Sequence, residues 1–170
     1  MLILNSSLKD LPNIFRLYNL ATEYQKNKSN NHWQPFDSQM IETEIKEHRH
    51  WKIVKGEIIV CIFSTSTDDS LIWGKKGNKS SLYLHRIATD TDHRGNNYVS
   101  FILDWAKANA RRTGIKFIRL DTFSENQKLV DYYLKCGFTL LGVVILKESK
   151  HLPSHYQNAS LGLFEIGIDE

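Results

Sequence analysis

Two consecutive stretches decide how this chain folds: Leu82-Tyr-Leu-His-Arg-Ile-Ala-Thr89, and after Asp90-Thr91 the segment Asp92-His-Arg-Gly-Asn-Asn-Tyr-Val-Ser100. The first is rich in aliphatic and aromatic side chains and predicts a strand. Asp90 to Gly95 is a polar turn. Val99, Ile102, Leu103, Ala106 and Ala110 then recur on one helical stripe, closed by Thr113-Gly114. A strand entering a helix through such a turn leaves the first helical amides unpaired, facing outward with the positive end of the dipole. Arg94 adds a fixed cation at that mouth, and Gly95 lets the backbone approach a ligand closely. The turn suits phosphate, although a purely structural turn carries the same local features.

Downstream, Lys116 to Leu120 predicts a buried strand, Glu125 to Cys136 a helix stopped by Gly137, Phe138 to Leu146 another strand, and Leu161 to Ile168 a last one. This alternation predicts right-handed crossovers with locally parallel pairing. Upstream, Leu2 to Leu4 predicts a short strand. A helix follows through Leu8, Leu11, Ile14, Phe15, Tyr18, Ala21 and Thr22, with Ser7 as cap and Pro12 in its first turn. Asn27 to Pro35 is polar and irregular, and a second helix runs from about Asp37 to His48. Trp51 to Val54 and Glu57 to Thr65 form a hairpin around Lys55-Gly56. Gly74 to Ser81 has the composition of a mobile loop. No internal repeat is present. The pattern is α+β, a mixed sheet in one domain spanning residues 1–170.

The chain has 170 residues, 41% hydrophobic and 24% charged, which excludes a disordered tail, a collagen-like fibre and a low-complexity linker. The longest apolar runs fall far short of the roughly 20 residues that span a bilayer, and Met1-Leu-Ile-Leu-Asn-Ser6 is not a basic leader, so no membrane association is expected. A net charge of +3 is too small to argue for nucleic acid; the only basic cluster is Lys75, Lys76 and Lys79. Cys61 and Cys136 stand 75 positions apart, without metal spacing, and read as buried free thiols in a reducing cytoplasm. Glu47-His-Arg-His50 offers two histidines and no visible third ligand, so no metal is expected.

Three linked blocks resemble the GNAT superfamily of acetyl-CoA-dependent N-acyltransferases. Arg94-Gly-Asn-Asn-Tyr-Val99 sits where that family carries its Arg/Gln-x-x-Gly-x-Gly/Ala pyrophosphate loop. His85-Arg-Ile-Ala-Thr89 and Ile118-Arg-Leu-Asp-Thr122 are similar to its fourth and fifth strands, and Asn126, Tyr133 and Gly137-Phe138 to its Asn…Tyr…Gly-Phe signature. Order and spacing agree from about Leu82 to Gly142. The departures are Asn97 in place of the middle Gly, and Val99 in place of Gly or Ala. Asn tolerates left-handed backbone angles, so the turn is expected to survive.

The resemblance implies a central mixed sheet of about seven strands flanked by about four helices, with acetyl-CoA as co-substrate and the cofactor core at residues 82–142. It implies that Arg94, Gly95, Asn96, Asn97, Tyr98, Val99 and Ser100 hold the pyrophosphate. An amide near Ile87, Ala88 or Thr89 faces the developing oxyanion, Asn126 touches the pantetheine arm, and Tyr133 protonates the departing sulfur. Asn126 and Tyr133 are seven residues apart, which places them on one helix face about 10.5 Å apart along the axis. Tyr132 lies roughly 100° away around that helix. His85 and Asp121 are both candidates for the base, and a base-linked water is a third. Asp121 could equally form an ion pair with Arg119 on the same strand face. Trp33 and Phe36, with Glu42 nearby, are candidate lining for a cationic amine acceptor of small-molecule or peptide class. A non-catalytic acyl-CoA-binding or sensing module is the alternative. Homodimers are common in the family, and the sequence marks no interface for one.

Overall fold

The computed structural model describes residues 1–28, 30–78, 80–147 and 150–168. Its strands are β1 (Leu2–Asn5), β2 (His50–Lys55), β3 (Ile58–Ser66), β4 (Ser81–Thr89), β5 (Phe117–Phe123), β6 (Thr139–Ile145) and β7 (Ser160–Gly167). The helices are α1 (Leu11–Lys26), α2 (Ser38–Lys46), the single turn α3 (Ser70–Trp73), α4 (Tyr98–Thr113) and α5 (Gln127–Lys135). Local chemistry sets most of their ends. Ser7 and Asp10 form a capping box in the turn before α1, the Asp37 carboxylate accepts from the amides of Gln39 and Met40, and Gly114 closes α4 in the left-handed region at φ 71°.

All seven strands lie in one sheet in the order β1-β2-β3-β4-β5-β7-β6. Only β4 and β5 pair in parallel; the other neighbours are antiparallel. The second crossover predicted from sequence therefore does not end beside its own strand. β7 runs between β5 and β6, with Asp121 opposite Leu163 and Val143 opposite Gly162, so both strands gain an antiparallel partner. Gly74 to Asn78 is likewise not a loose loop but a tight helical turn, in which Gly77 packs against Trp73 and Tyr83. Of the basic cluster, Lys79 lies outside the described residues.

Two apolar layers hold the sheet. Val99, Ile102, Leu103 and Ala106 of α4, with Val130 and Tyr133 of α5, pack on Phe63, Leu84, Ile118, Leu120 and Phe164. Ile14, Leu17 and Tyr18 of α1, with Ile41 and Ile45 of α2, pack on Ile59, Ile62 and Ala88. Each such side chain stabilises the fold by about 1.5–3 kcal/mol on burial. Cys61 is buried in the first layer; Cys136 is only half-buried, because the end of α5 faces the surface.

Two irregularities open a cleft in this sheet. The β4–β5 ladder covers only Ser81–Phe117, Leu82–Ile118 and Tyr83–Arg119, and the strands part beyond it. On its other side β4 is bulged: Ile62 pairs with Ala88 and Ser64 with His85, so Arg86 and Ile87 face the single residue Phe63. Arg86 takes φ 50°, a left-handed angle that costs a non-glycine residue about 1–3 kcal/mol. Its guanidinium, buried with Glu44 and Ser64 as hydrogen-bond acceptors, pins the bulge to α2.

Candidate active site

The parted strands line a cleft of about 860 Å³ that runs from the α1–α2 loop, past β4 and β5, to the starts of α4 and α5. At one end is the turn before α4. Gly95 adopts φ 80° and Asn97 φ 53°, so Asn supplies the left-handed angle that the resembled family takes from Gly. The amides of Gly95, Asn96, Asn97 and Tyr98 have no acceptor among the described residues. They point where the α4 dipole favours negative charge. Arg94 stacks over Tyr24 at 4.1 Å and, with Lys28 and Lys128, gives this end three cations on the lining. Four free amides, a positive helix end and three cations fit a diphosphate.

Of the residues that the family resemblance assigns to the cofactor, Ile87, Ala88, Thr89, Arg94, Gly95, Asn96, Asn97, Tyr98 and Val99 line the cleft. Ser100 does not. Its amide donates to the Asn97 carbonyl at 3.1 Å, closing the first turn of α4, so it is not free for phosphate. Asn126 lines the cleft while its side-chain oxygen caps α5 by accepting from the Leu129 amide at 3.2 Å. Tyr133 is buried against Phe138 and Phe164, yet borders the cleft, and its hydroxyl makes no hydrogen bond among the described residues. Burial pushes its ionisation above the ordinary phenol value, so it is a neutral O–H, able to donate. The neighbouring Tyr132 also lines the cleft, and its hydroxyl donates to Asn97 Oδ1 at 2.8 Å, tying α5 to the phosphate turn.

At the other end the cleft reaches His85 and Asp121, which follow the last ladder pair by two residues on each parting strand. Burial, with Arg86 and Arg49 nearby, pulls His85 down to about 3, leaving a neutral imidazole at pH 7. Burial raises Asp121 to about 7, partly opposed by a long hydrogen bond from the Tyr156 hydroxyl at 3.5 Å. The alternative of an ion pair between Arg119 and Asp121 is not realised. Arg119 instead donates to Glu165, directly opposite it on β7, at 2.7 and 2.8 Å. Trp33 lines the cleft beside His85, Tyr156 and Leu161. Phe36 does not; it stands behind Trp33, at 5.4 Å between ring centroids, and packs on Tyr18 and His155. Glu42 is not on the cleft lining either; half-buried on the flank of α2, it accepts from the Ser38 hydroxyl and pairs with Lys46.

His50 is buried between Tyr18 and Ser6 and hydrogen-bonded to both. Five residues at the site carry no local sequence signal: Tyr156 from a connecting segment, Tyr132 on α5 and the cations Lys28 and Lys128, all on the cleft lining, and Asp69, which is not on the lining but has a carboxylate oxygen within 4.8 Å of donor atoms of His85 and Asp121. Of these only Tyr132, adjacent to Tyr133 on a predicted helix, stands next to a residue the sequence singles out.

A mixed sheet parted between two parallel central strands, with a bare helix N-terminus at one end and a buried neutral tyrosine beside the gap, defines the acyl-CoA N-acyltransferase fold. The sequence profile of the Acetyltransferase (GNAT) family matches residues 14–138, and the chain belongs to that family of acetyl-CoA-dependent N-acyltransferases. It is similar to YesJ, an uncharacterised N-acetyltransferase of Bacillus subtilis (strain 168), at 26% identity over 79% of each chain. Its fold is similar to a GNAT acetyltransferase from Listeria monocytogenes 4b F2365, with TM-score 0.75 and 19% identity, covering 98% of this chain and 94% of that one. It is also similar to yncA from Salmonella typhimurium, whose structure holds acetyl-CoA, with TM-score 0.69 and 15% identity, covering 100% and 95%. No helix among the described residues is long and apolar enough to cross a membrane.

Proposed function

We propose that this enzyme moves the acetyl group of acetyl-CoA to a primary amine of a small molecule or peptide, by direct attack of the amine on the thioester. The observation that carries this reading is the continuous cleft joining the free amides of residues 95–98 to the His85–Asp121 end through the gap between β4 and β5. When bound, acetyl-CoA would supply the electrophilic acyl carbon and a thiolate leaving group. The amides of Gly95 to Tyr98 and the cations Arg94, Lys28 and Lys128 hold the diphosphate. An amide within Ile87 to Thr89, splayed from β5, donates to the oxyanion. Tyr133 would donate its phenolic proton to the departing sulfur and regain one from the nitrogen as the amide forms.

An alkylammonium has an ordinary pKa near 10.4, so the chain must take a proton before attack. Asp121, with His85 beside it, takes that proton, and Trp33 and Tyr156, both on the cleft lining, wall the approach; the nearness of Asp121 to His85 supports this. The free thiols of Cys61 and Cys136 fit a reducing cytoplasm as the working compartment.

The test is calorimetry with coenzyme A, followed by thiol release across a panel of small amines and N-terminal peptides. Binding with turnover on at least one amine supports the reading. The absence of coenzyme A binding at saturating concentration overturns it.

A further inference from the structure

Among the described residues, four that are not glycine take a positive φ: His48, Arg86, Asn97 and Asn158. Asn97 and Asn158 are of a type that tolerates the left-handed region, and His48 lies in the turn after α2. Arg86 has neither excuse. It holds φ 50° inside β4, and so strained a backbone persists only where its surroundings over-determine it.

The side chain supplies that constraint. Arg86 and Glu44 form an ion pair whose side chains are only 14% and 8% exposed. Arg86 Nη2 reaches both Glu44 carboxylate oxygens at 2.5 Å and the Ser64 hydroxyl at 2.7 Å. The Phe36 ring centroid lies 5.5 Å from the guanidinium carbon, while Nε is buried with no partner among the described residues. The tip of the side chain is therefore anchored on α2 and β3, and the strand next to it carries the consequence. Arg86 and Ile87 share the single partner Phe63 on β3, and neither has a partner on β5, where the ladder has already ended at Tyr83. A bulge of this kind leaves one residue outside both ladders, and Arg86, Ile87 and Ala88 all border the cleft.

We propose that Arg86 is the positioning residue of the oxyanion donor: clamped by Glu44 and Ser64, its side chain holds its own backbone left-handed and thereby aims the bulge amide at the acyl oxygen of acetyl-CoA. The inference rests on the amine-acetylation reading above and adds to it a link from α2 to the reacting centre. Arg86 transfers no group. The amide beside it donates a hydrogen bond that strengthens as charge gathers on the oxygen, and such a bond weakens steeply once the donor is misaligned.

Infrared difference spectroscopy with acetyl-CoA carrying ¹³C at its thioester carbonyl tests this on the full chain without turnover. In the wild type the bound carbonyl band should lie below that of free acetyl-CoA, and in Arg86→Met it should return toward the free position. A band unmoved from its wild-type position in Arg86→Met overturns the proposal. In kinetics with an accepted amine, Arg86→Met is expected to lower kcat about a hundredfold with KM for acetyl-CoA unchanged. Arg86→Gly reaches the same φ without a clamp, so it should keep about tenfold more kcat than Arg86→Met, although it removes more packing. A side chain that only stabilises the fold gives the reverse order or no difference, and either result overturns the proposal. Glu44 also lies 3.8 Å from Arg49, so Arg86→Met does not leave that carboxylate without a cation. Should Arg86→Met nonetheless fail to fold by thermal melting, Glu44→Gln carries the test, with the same return of the band and about a tenfold loss of kcat. A lowered band in an enzyme that acetylates no amine counts against the amine-acetylation reading alone. Turnover with band and kcat unaltered in Arg86→Met counts against the clamp alone, and failure to bind acetyl-CoA overturns both.

Discussion

Arg119 and Asp121 stand two residues apart on the same face of β5, and both are charged groups carried into the interior. Their surroundings are opposite. Arg119 donates twice to Glu165, to the Lys76 carbonyl at 2.7 Å and to the Tyr83 hydroxyl at 3.1 Å, and its guanidinium lies 4.5 Å from the Trp73 ring centroid. Asp121 has one long side-chain partner, Tyr156, and faces a second carboxyl. The ladder between β4 and β5 ends at Arg119, so one residue closes the sheet and the other floors the gap. A buried charge with a full set of partners is architecture. A buried charge left short of partners, at the mouth of a cleft, is placed for chemistry.

This contrast can be broken by substitution. The largest effect is expected at Arg119→Met, which leaves Glu165 without its partner and should lower stability by about 3–5 kcal/mol in urea denaturation. A loss under about 1 kcal/mol would erase the distinction. Replacing Glu165 by Leu in the same chain should return part of the loss. Tyr133→Phe should cut kcat about a hundredfold while leaving the melting temperature nearly unchanged, because the hydroxyl makes no hydrogen bond among the described residues. An equal fall in stability would move Tyr133 from chemistry to architecture.

Asp121→Asn sharpens the comparison through pH. In the folded enzyme Asp121 titrates at about 7, above the unfolded carboxyl near 3.9. Between those values the native state holds more protons than the unfolded one, so wild-type stability declines as pH rises toward and through 7. The amide carries no such penalty. Asp121→Asn should therefore be more stable than wild type at pH 8, by roughly 1–3 kcal/mol, with the gain gone near pH 4. A gain independent of pH would disprove the linkage. The smallest effect is at Tyr132→Phe. Losing the bond to Asn97 should cost about 1 kcal/mol and raise KM for acetyl-CoA a few-fold with kcat intact.

Those parts of the fold that depend on neighbours in sequence are legible in the sequence. Ser7, Asp37, Gly114 and Gly137 mark helix ends because caps and left-handed stops act within a few residues. The strand–turn–helix from Leu82 to Ser100 carries its own turn chemistry, so the end of the cleft with the free amides is readable in advance, apart from Ser100, whose amide serves the helix itself. The position of β7 is not readable. Its alternation suits pairing with many strands, and only long-range packing decides that it lies between β5 and β6. α3 is too short at four residues to show a period, although its Ile72 and Trp73 are buried. The acceptor end is the least legible part, since Asp69 and Tyr156 come from connections that obey no periodicity. Phe36 and Glu42 show the converse: a residue type suited to the chemistry, set one layer back or on the flank of its helix.

The insertion of β7 also bears on how the chain acquires its shape. Residues 160–167 supply the antiparallel neighbour of both β5 and β6, and Leu161 forms part of the cleft wall. A nascent chain that has not yet delivered this segment keeps two raw strand edges side by side, bearing Ile118 and Leu120, the kind of surface that recruits other chains. Assembly of the catalytic half thus waits for this segment, and truncations inside residues 160–167 should yield aggregates instead of a smaller enzyme.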